Sequence, residues 1–182
     1  MSQLIDFYRG DGTDAEGRTF DEILSWDDDR LEFTHDFIQW LFPTRQPSNF
    51  NPDAPLLTGA DIEAFRSDAF LRNRMRVAFD RFASFLGLHV ASPAGGASLG
   101  ADPPKVAPDP ARFREGVWKR PNHNWLRITR VLTSLRSVGL ESLAGSFFAC
   151  LRDLVEAGYA SADSFAHWHN AMGERGERFG GP

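Results

Sequence analysis

Residues 122–141 read NHNWLRITRVLTSLRSVGLE, and a single period runs through them. Trp125, Ile128, Leu132 and Leu135 recur at three- and four-residue spacing. Val131 and Val138 widen the stripe, and Gly139 supplies a left-handed stop. An amphipathic helix with an apolar face this broad must bury it against other elements. The next segment, Glu141 to Ala157, repeats the period with Leu143, Phe147, Phe148, Leu151, Leu154 and Val155, and Gly158 ends it. Ser161 can cap a last helix with Phe165, Trp168 and Met172 turned inward.

Working back towards the N-terminus, the same period persists. Thr58 caps a start with Asp61 in its first turn, and apolar positions from Ile62 to Leu86 follow one face as far as Gly87, with a break expected near Ser67-Asp68. Asp28 to Phe42 reads as a single helix, with Leu31, Thr34, Phe37, Ile38 and Leu41 on one face and Pro43 as its stop. Thr19-Phe20-Asp21-Glu22 has the form of a capping box. Four prolines from Pro43 to Pro55 make an extended connection, anchored by Phe50 and Leu56. Asp109-Pro110 predicts a short helix through Phe113 to Trp118. Residues 91–110 are Gly, Pro and Ala-rich and read as a flexible insertion. No stretch alternates with period two over any length, so the expectation is an all-α single domain of about six or seven helices over residues 1–172, followed by a flexible tail at 173–182.

Composition narrows the function. With 182 residues, 42% hydrophobic, 25% charged and a net charge of -5, the chain can bury one core and is not wholly disordered. No apolar run approaches a membrane span. The acidic N-terminus lacks the basic-then-apolar form of a secretory signal, so a cytoplasmic location is expected. The lone Cys150, set among Phe and Leu, reads as a small hydrophobe. Eighteen of the twenty basic residues are arginine, which with the abundant Ala and Gly suggests a GC-rich, bacterial genome. Residues 1–36 hold eleven acids against three arginines, and 112–136 hold seven basic residues against Glu115 alone. The two segments can attract one another, or the basic one can face an acidic partner. Basic charge confined to one segment predicts no nucleic-acid binding.

The chain carries no Gly-rich nucleotide loop, Walker sequence, nucleophile elbow or His-Glu-x-x-His zinc motif, so the expectation is a non-enzymatic binding domain without cofactor or metal. His167 and His169, two apart on a helix, point about 200° from each other and cannot share an ion. The candidate ligand site is the start of the 122–141 helix. Asn122, His123 and Asn124 lie at its N-terminus, and Arg127 and Arg130, one turn on, can either fork to a carboxylate or clamp carbonyls inside the domain. Gln39 and Trp40 could supply an amide and an apolar wall, although Trp40 also reads as core. His35, which shares a helical face with Gln39, is a secondary candidate. An alternative is an enzyme with an unfamiliar site of His35, His123, Asn124 and Arg127, and another is a structural or assembly role.

Two stretches carry a resemblance. Ile38-Gln39-Trp40-Leu41-Phe42-Pro43 and Asn124-Trp125-Leu126-Arg127-Ile128-Thr129-Arg130-Val131-Leu132 are similar, in the same order, to the I-Q-W-L-F-P and H-N-Y-L-R-I-T-R-I-L of the opioid growth factor receptor conserved domain. Asp6-Phe7-Tyr8, Trp26, Leu31-Glu32, Asn49-Phe50, Leu57-Thr58 and Phe85-Leu86-Gly87-Leu88 extend the likeness over most of residues 4–152. Trp125 stands where the family has tyrosine, Thr133 where it has lysine, and 91–110 replace a more polar linker. The resemblance implies a domain-only, bacterial relative of a nuclear and perinuclear receptor for a pentapeptide, hence a peptide or protein partner. It supplies no catalytic residues. The IQWLFP helix is expected to pack on the 122–141 helix through Trp40, Leu41, Trp125, Ile128 and Leu132.

Overall fold

The computed structural model describes residues 2–48, 51–91, 104–113, 118 and 122–173. Among them are nine helices: α1 (Gln3–Arg9), α2 (Phe20–Ser25), α3 (Asp28–Phe33), α4 (Ile38–Leu41), α5 (Gly59–Ser67), α6 (Ala69–Phe85), α7 (His123–Ser137), α8 (Glu141–Glu156) and α9 (Ala162–Gly173). The buried side chains form one continuous cluster.

Caps read from sequence set several boundaries. Thr19 accepts from the Glu22 amide and starts α2. Thr58 and Asp61 form a reciprocal capping box at α5. Asp68 then ends α5 in extended geometry and caps α6 through the Phe70 amide, so the expected break falls there. Ser161 accepts from the Ser164 amide at the start of α9.

The fold is mostly helical as expected, but a small two-stranded sheet is added to it. Strands β1 (Leu88–Ala91) and β2 (Lys105–Pro108) pair antiparallel, with Leu88 opposite Pro108 and Val90 opposite Val106. Ala91 and residues 105–108 of the supposed insertion are therefore structural, with Val106 buried. Four residues are too few for period-two alternation to stand out. Gly87 opens the hairpin at φ +74°, and a Cβ there would lie 2.9 Å from the Arg112 carbonyl oxygen and the Phe113 Cα. The short helix expected after Asp109 is a turn in its described part, residues 110–112, closed by the Asp109 side chain on the Ala111 amide. Residues 92–103, 114–117 and 174–182 lie outside the described set, as does Phe50. Leu56 is exposed, and Leu57 takes the anchoring role instead.

The single helix expected over 28–42 is also broken. Thr34 ends α3 with extended angles (φ -96°, ψ 128°), and α4 resumes at Ile38. Periodicity cannot reveal the break because Leu31 before it and Ile38 and Leu41 after it are all buried. What makes it stable is tertiary: carbonyls that would have continued the helix are taken by an arginine from α7, described below.

A recurring device joins the short helices to the long ones. Arg74, Arg81 and Arg72, all on α6, donate to carbonyls at the C-terminal ends of α1 (Tyr8, 2.9 Å), α2 (Trp26, 2.7 Å) and α5 (Phe65, 3.2 Å). A cation there satisfies orphan carbonyls and meets the negative end of the helix dipole. Arg74 and Arg81 also pair with Asp21 at 2.7 Å and Asp28 at 2.8 Å. Asp21 and Asp28, two of the N-terminal acids, are thus answered from α6.

Aromatic rings fill the core on the N-terminal side, with Phe7 against Phe20 and Trp40, and Tyr8 against Phe65. Phe79 of α6 meets Phe147 of α8 at 5.1 Å and joins this part to the α7–α9 layer. Of the two tryptophans named for the motif contact, Trp40 lies against Phe7 and Trp125 packs on Trp168 at 5.8 Å.

Candidate functional site

The start of α7 lies against the α3–α4 break, and Arg127 closes the contact. Its Nη1 donates to the Leu31 carbonyl and to Asn124 Oδ1, both at 3.0 Å. Its Nη2 donates to the Thr34 carbonyl at 2.7 Å and to His35 Nδ1 at 3.2 Å. The guanidinium carbon sits 5.3 Å from the centre of the Phe37 ring. Four acceptors for four Nη hydrogens leave the fork filled. Arg127 is only 5% exposed, and burial lowers its pKa to about 10, so it stays a cation at neutral pH.

Around this clamp stands a polar cluster. Asn122 caps α7 by accepting from the Asn124 amide at 2.9 Å. The Asn124 side chain donates to Glu32 Oε2 at 3.0 Å, and Glu32 Oε1 lies 3.3 Å from His123 Nε2. The His35 and His123 rings stand edge to face, centroids 4.9 Å apart. Because Arg127 can only donate, His35 Nδ1 is the acceptor in this contact. Burial, then the Arg127 charge, lower the His123 pKa; Glu32 opposes them and His35 adds to the lowering.

The remaining sequence candidates support this cluster from beneath. In the orientation that satisfies its neighbours, the buried Gln39 amide donates to the carbonyls of Asp36 at 3.1 Å and His35 at 3.3 Å. Arg130 Nη1 reaches the Phe42 carbonyl at 3.2 Å, and burial lowers its pKa too. Trp40, 2% exposed, belongs to the core rather than to an open wall. The structure therefore brings Asn122, His123, Asn124, Arg127 and His35 into one junction, with Gln39 and Arg130 as internal donors beside it.

Sequence reasoning missed Glu32 and two exposed apolar side chains. Phe33 is 80% exposed and Leu126 is 61% exposed. Phe33 lies between Glu32 and Thr34, both tied to α7, and Leu126 shares a face of α7 with His123, three residues before it. Their signal was faint: Leu126 interrupts the polar side of an otherwise regular pattern. Elsewhere, Cys150 is buried and its pKa is pushed up to about 12, and His169 lies against Phe148 and Phe165. Among the described residues no group of three or more His, Cys, Asp or Glu is placed to hold a metal ion.

The two motifs that meet here, LEFTHDFIQWLFP and HNWLRITR, fall within a match over residues 3–176 to the opioid growth factor receptor conserved region. The chain belongs to that family. The rat opioid growth factor receptor is 39% identical over 128 residues, which cover 69% of this chain and 21% of the rat protein. The human receptor is 34% identical over 141 residues, covering 75% and 20%. Opioid growth factor receptor-like protein 1 of Xenopus tropicalis is 35% identical over 131 residues, covering 70% and 24%. The chain thus spans about a fifth to a quarter of the length of these curated relatives. No solved structure matches this member of the opioid growth factor receptor family. Among its described residues no helix is long and apolar enough to cross a membrane.

Proposed function

We propose that this member of the opioid growth factor receptor family is a non-enzymatic interaction domain that docks a peptide segment on the α3–α7 junction. The observation that carries the reading is the junction's composition: exposed Phe33 follows Glu32 in the chain and exposed Leu126 lies one helical turn from His123, beside a polar centre of Glu32, His35 and His123 and a filled Arg127 clamp. Solvent-facing apolar side chains beside a few convergent polar groups suit an extended or helical peptide with apolar anchors. A small free anion fits less well, because Arg127 would have to abandon Leu31 and Thr34. The animal relatives are named as receptors, which accords with recognition of a ligand. The arginine-for-lysine bias supports a bacterial source.

A random peptide library panned on the immobilised domain tests this. Selected peptides should lose affinity about tenfold or more with Phe33→Ser or Leu126→Ser while both variants keep the wild-type melting temperature. Peptides that bind both variants as well as wild type would refute the junction as the site.

A second reading rests on the convergence of His35 and His123, which gives an enzyme its acid-base pair. It is weakened by Arg127, which occupies His35 Nδ1. Hydrolysis of an activated ester that disappears in both His35→Gln and His123→Gln would favour it.

A further inference from the structure

The geometry points to a proton-operated latch at the α3–α4 break: protonation of His35 at Nδ1 expels Arg127 from the imidazole and loosens residues 34–37. The proposal concerns the junction itself and holds whether or not a peptide docks there. It starts from the direction of one hydrogen bond. Arg127 Nη2 and His35 Nδ1 are 3.2 Å apart, and the arginine can only donate, so the imidazole nitrogen must offer a lone pair. A proton on Nδ1 sets two N–H groups against each other and adds a second positive charge to a buried guanidinium.

The surroundings do not absorb that charge. From α7, His35 faces Arg127 and His123, the latter ring 4.9 Å away. From α3, Glu32 is committed through Oε2 to Asn124 and through Oε1 lies beside His123. It can pair with one imidazolium, and His123 is the one in place. Asp36, next to His35 in the chain, is held by Arg18 at 3.0 Å. At neutral pH the Glu32 and Arg127 charges balance; with both imidazoles protonated the junction carries two net positive charges. The backbone here is poised to respond: Thr34 is extended, its carbonyl depends on the same Arg127 Nη2, and the His35 carbonyl depends on Gln39 rather than on a helix. His35 is exposed, so the proton reaches it without prior unfolding.

Amide hydrogen exchange of the intact chain tests this, with rates divided by the intrinsic rate at each pH. If the closed latch admits only neutral His35, lowering the pH from 7.5 to 5.5 should speed opening of residues 34–37 about tenfold, the factor by which a free imidazole becomes mostly protonated one unit below its midpoint. In His35→Gln, whose side chain can still accept from Arg127 but does not titrate in this range, the acceleration should vanish while the residues of α6 behave as in wild type. Wild-type protection at 34–37 that is indifferent to pH would overturn the proposal, and so would an equal acceleration in His35→Gln. Parallel NMR titration of the His35 ring ties the event to this residue: the 34–37 amide shifts should follow its midpoint, and shifts that follow His123 instead would also count against the latch.

Discussion

Arg127 carries more of this structure than any other polar side chain described. Truncating it leaves the Leu31 and Thr34 carbonyls without their donor and removes the cation from above Phe37. Unsatisfied buried acceptors are costly, so Arg127→Ala should lower unfolding free energy by about 3 kcal/mol in urea melts. Arg127→Lys should recover little, because one ammonium cannot span four acceptors arranged for a planar fork. His123 adds a pH dependence whose sign follows from its surroundings. Burial and Arg127 hold its folded pKa below the ordinary value, so as pH falls the unfolded chain takes up this proton first. The contribution to stability is complete above pH of about 6.5 and declines below it, through the window between the ordinary and the lowered pKa. Urea midpoints at pH 7.5 and 5.5 should therefore differ less in His123→Gln than in wild type.

At the level of elements, the long helices and most caps could be read from sequence because their causes are local. Thr19, Thr58, Asp68 and Ser161 each bond an amide two or three residues away. The break after Phe33 and the β1–β2 hairpin could not be read, because their causes lie far along the chain: Arg127 is 93 residues from Thr34, and each strand gains its bonds only from the other. The site was legible in the same uneven way. His123, Asn124 and Arg127 stood out as a polar cluster, whereas Glu32, which completes it, looked like one more helix-surface acid. Gly87 gives this scale its prediction. Its φ of +74° and the 2.9 Å approach of Arg112 and Phe113 leave no room for a side chain. Gly87→Ala should cost at least about 2 kcal/mol and weaken the hairpin, observable as faster exchange of the β1 and β2 amides.

For the whole molecule, the distribution of arginines decides how the surface meets polyanions. Arg127, Arg130 and Arg136 are turned onto the carbonyls of Leu31, Thr34, Phe42 and Ala171, so three of the seven basic residues of 112–136 are committed inside the domain. With a net charge of -5 as well, retention of duplex DNA in a shift assay at physiological salt should be undetectable. The same arginines impose an order of assembly. Helices α1 to α5 are four to nine residues long, below the length at which a helix persists in water. Their terminal carbonyls wait for guanidinium groups that arrive only when α6 and α7 are in place. The N-terminal third is then a passenger in the folding reaction: φ-values should be high in α6 and α7 and near zero in α1 to α4, and a synthetic peptide of residues 1–58 should give the circular dichroism of a coil. A nascent chain would hold residues 1–58 open until the 122–141 segment had been made.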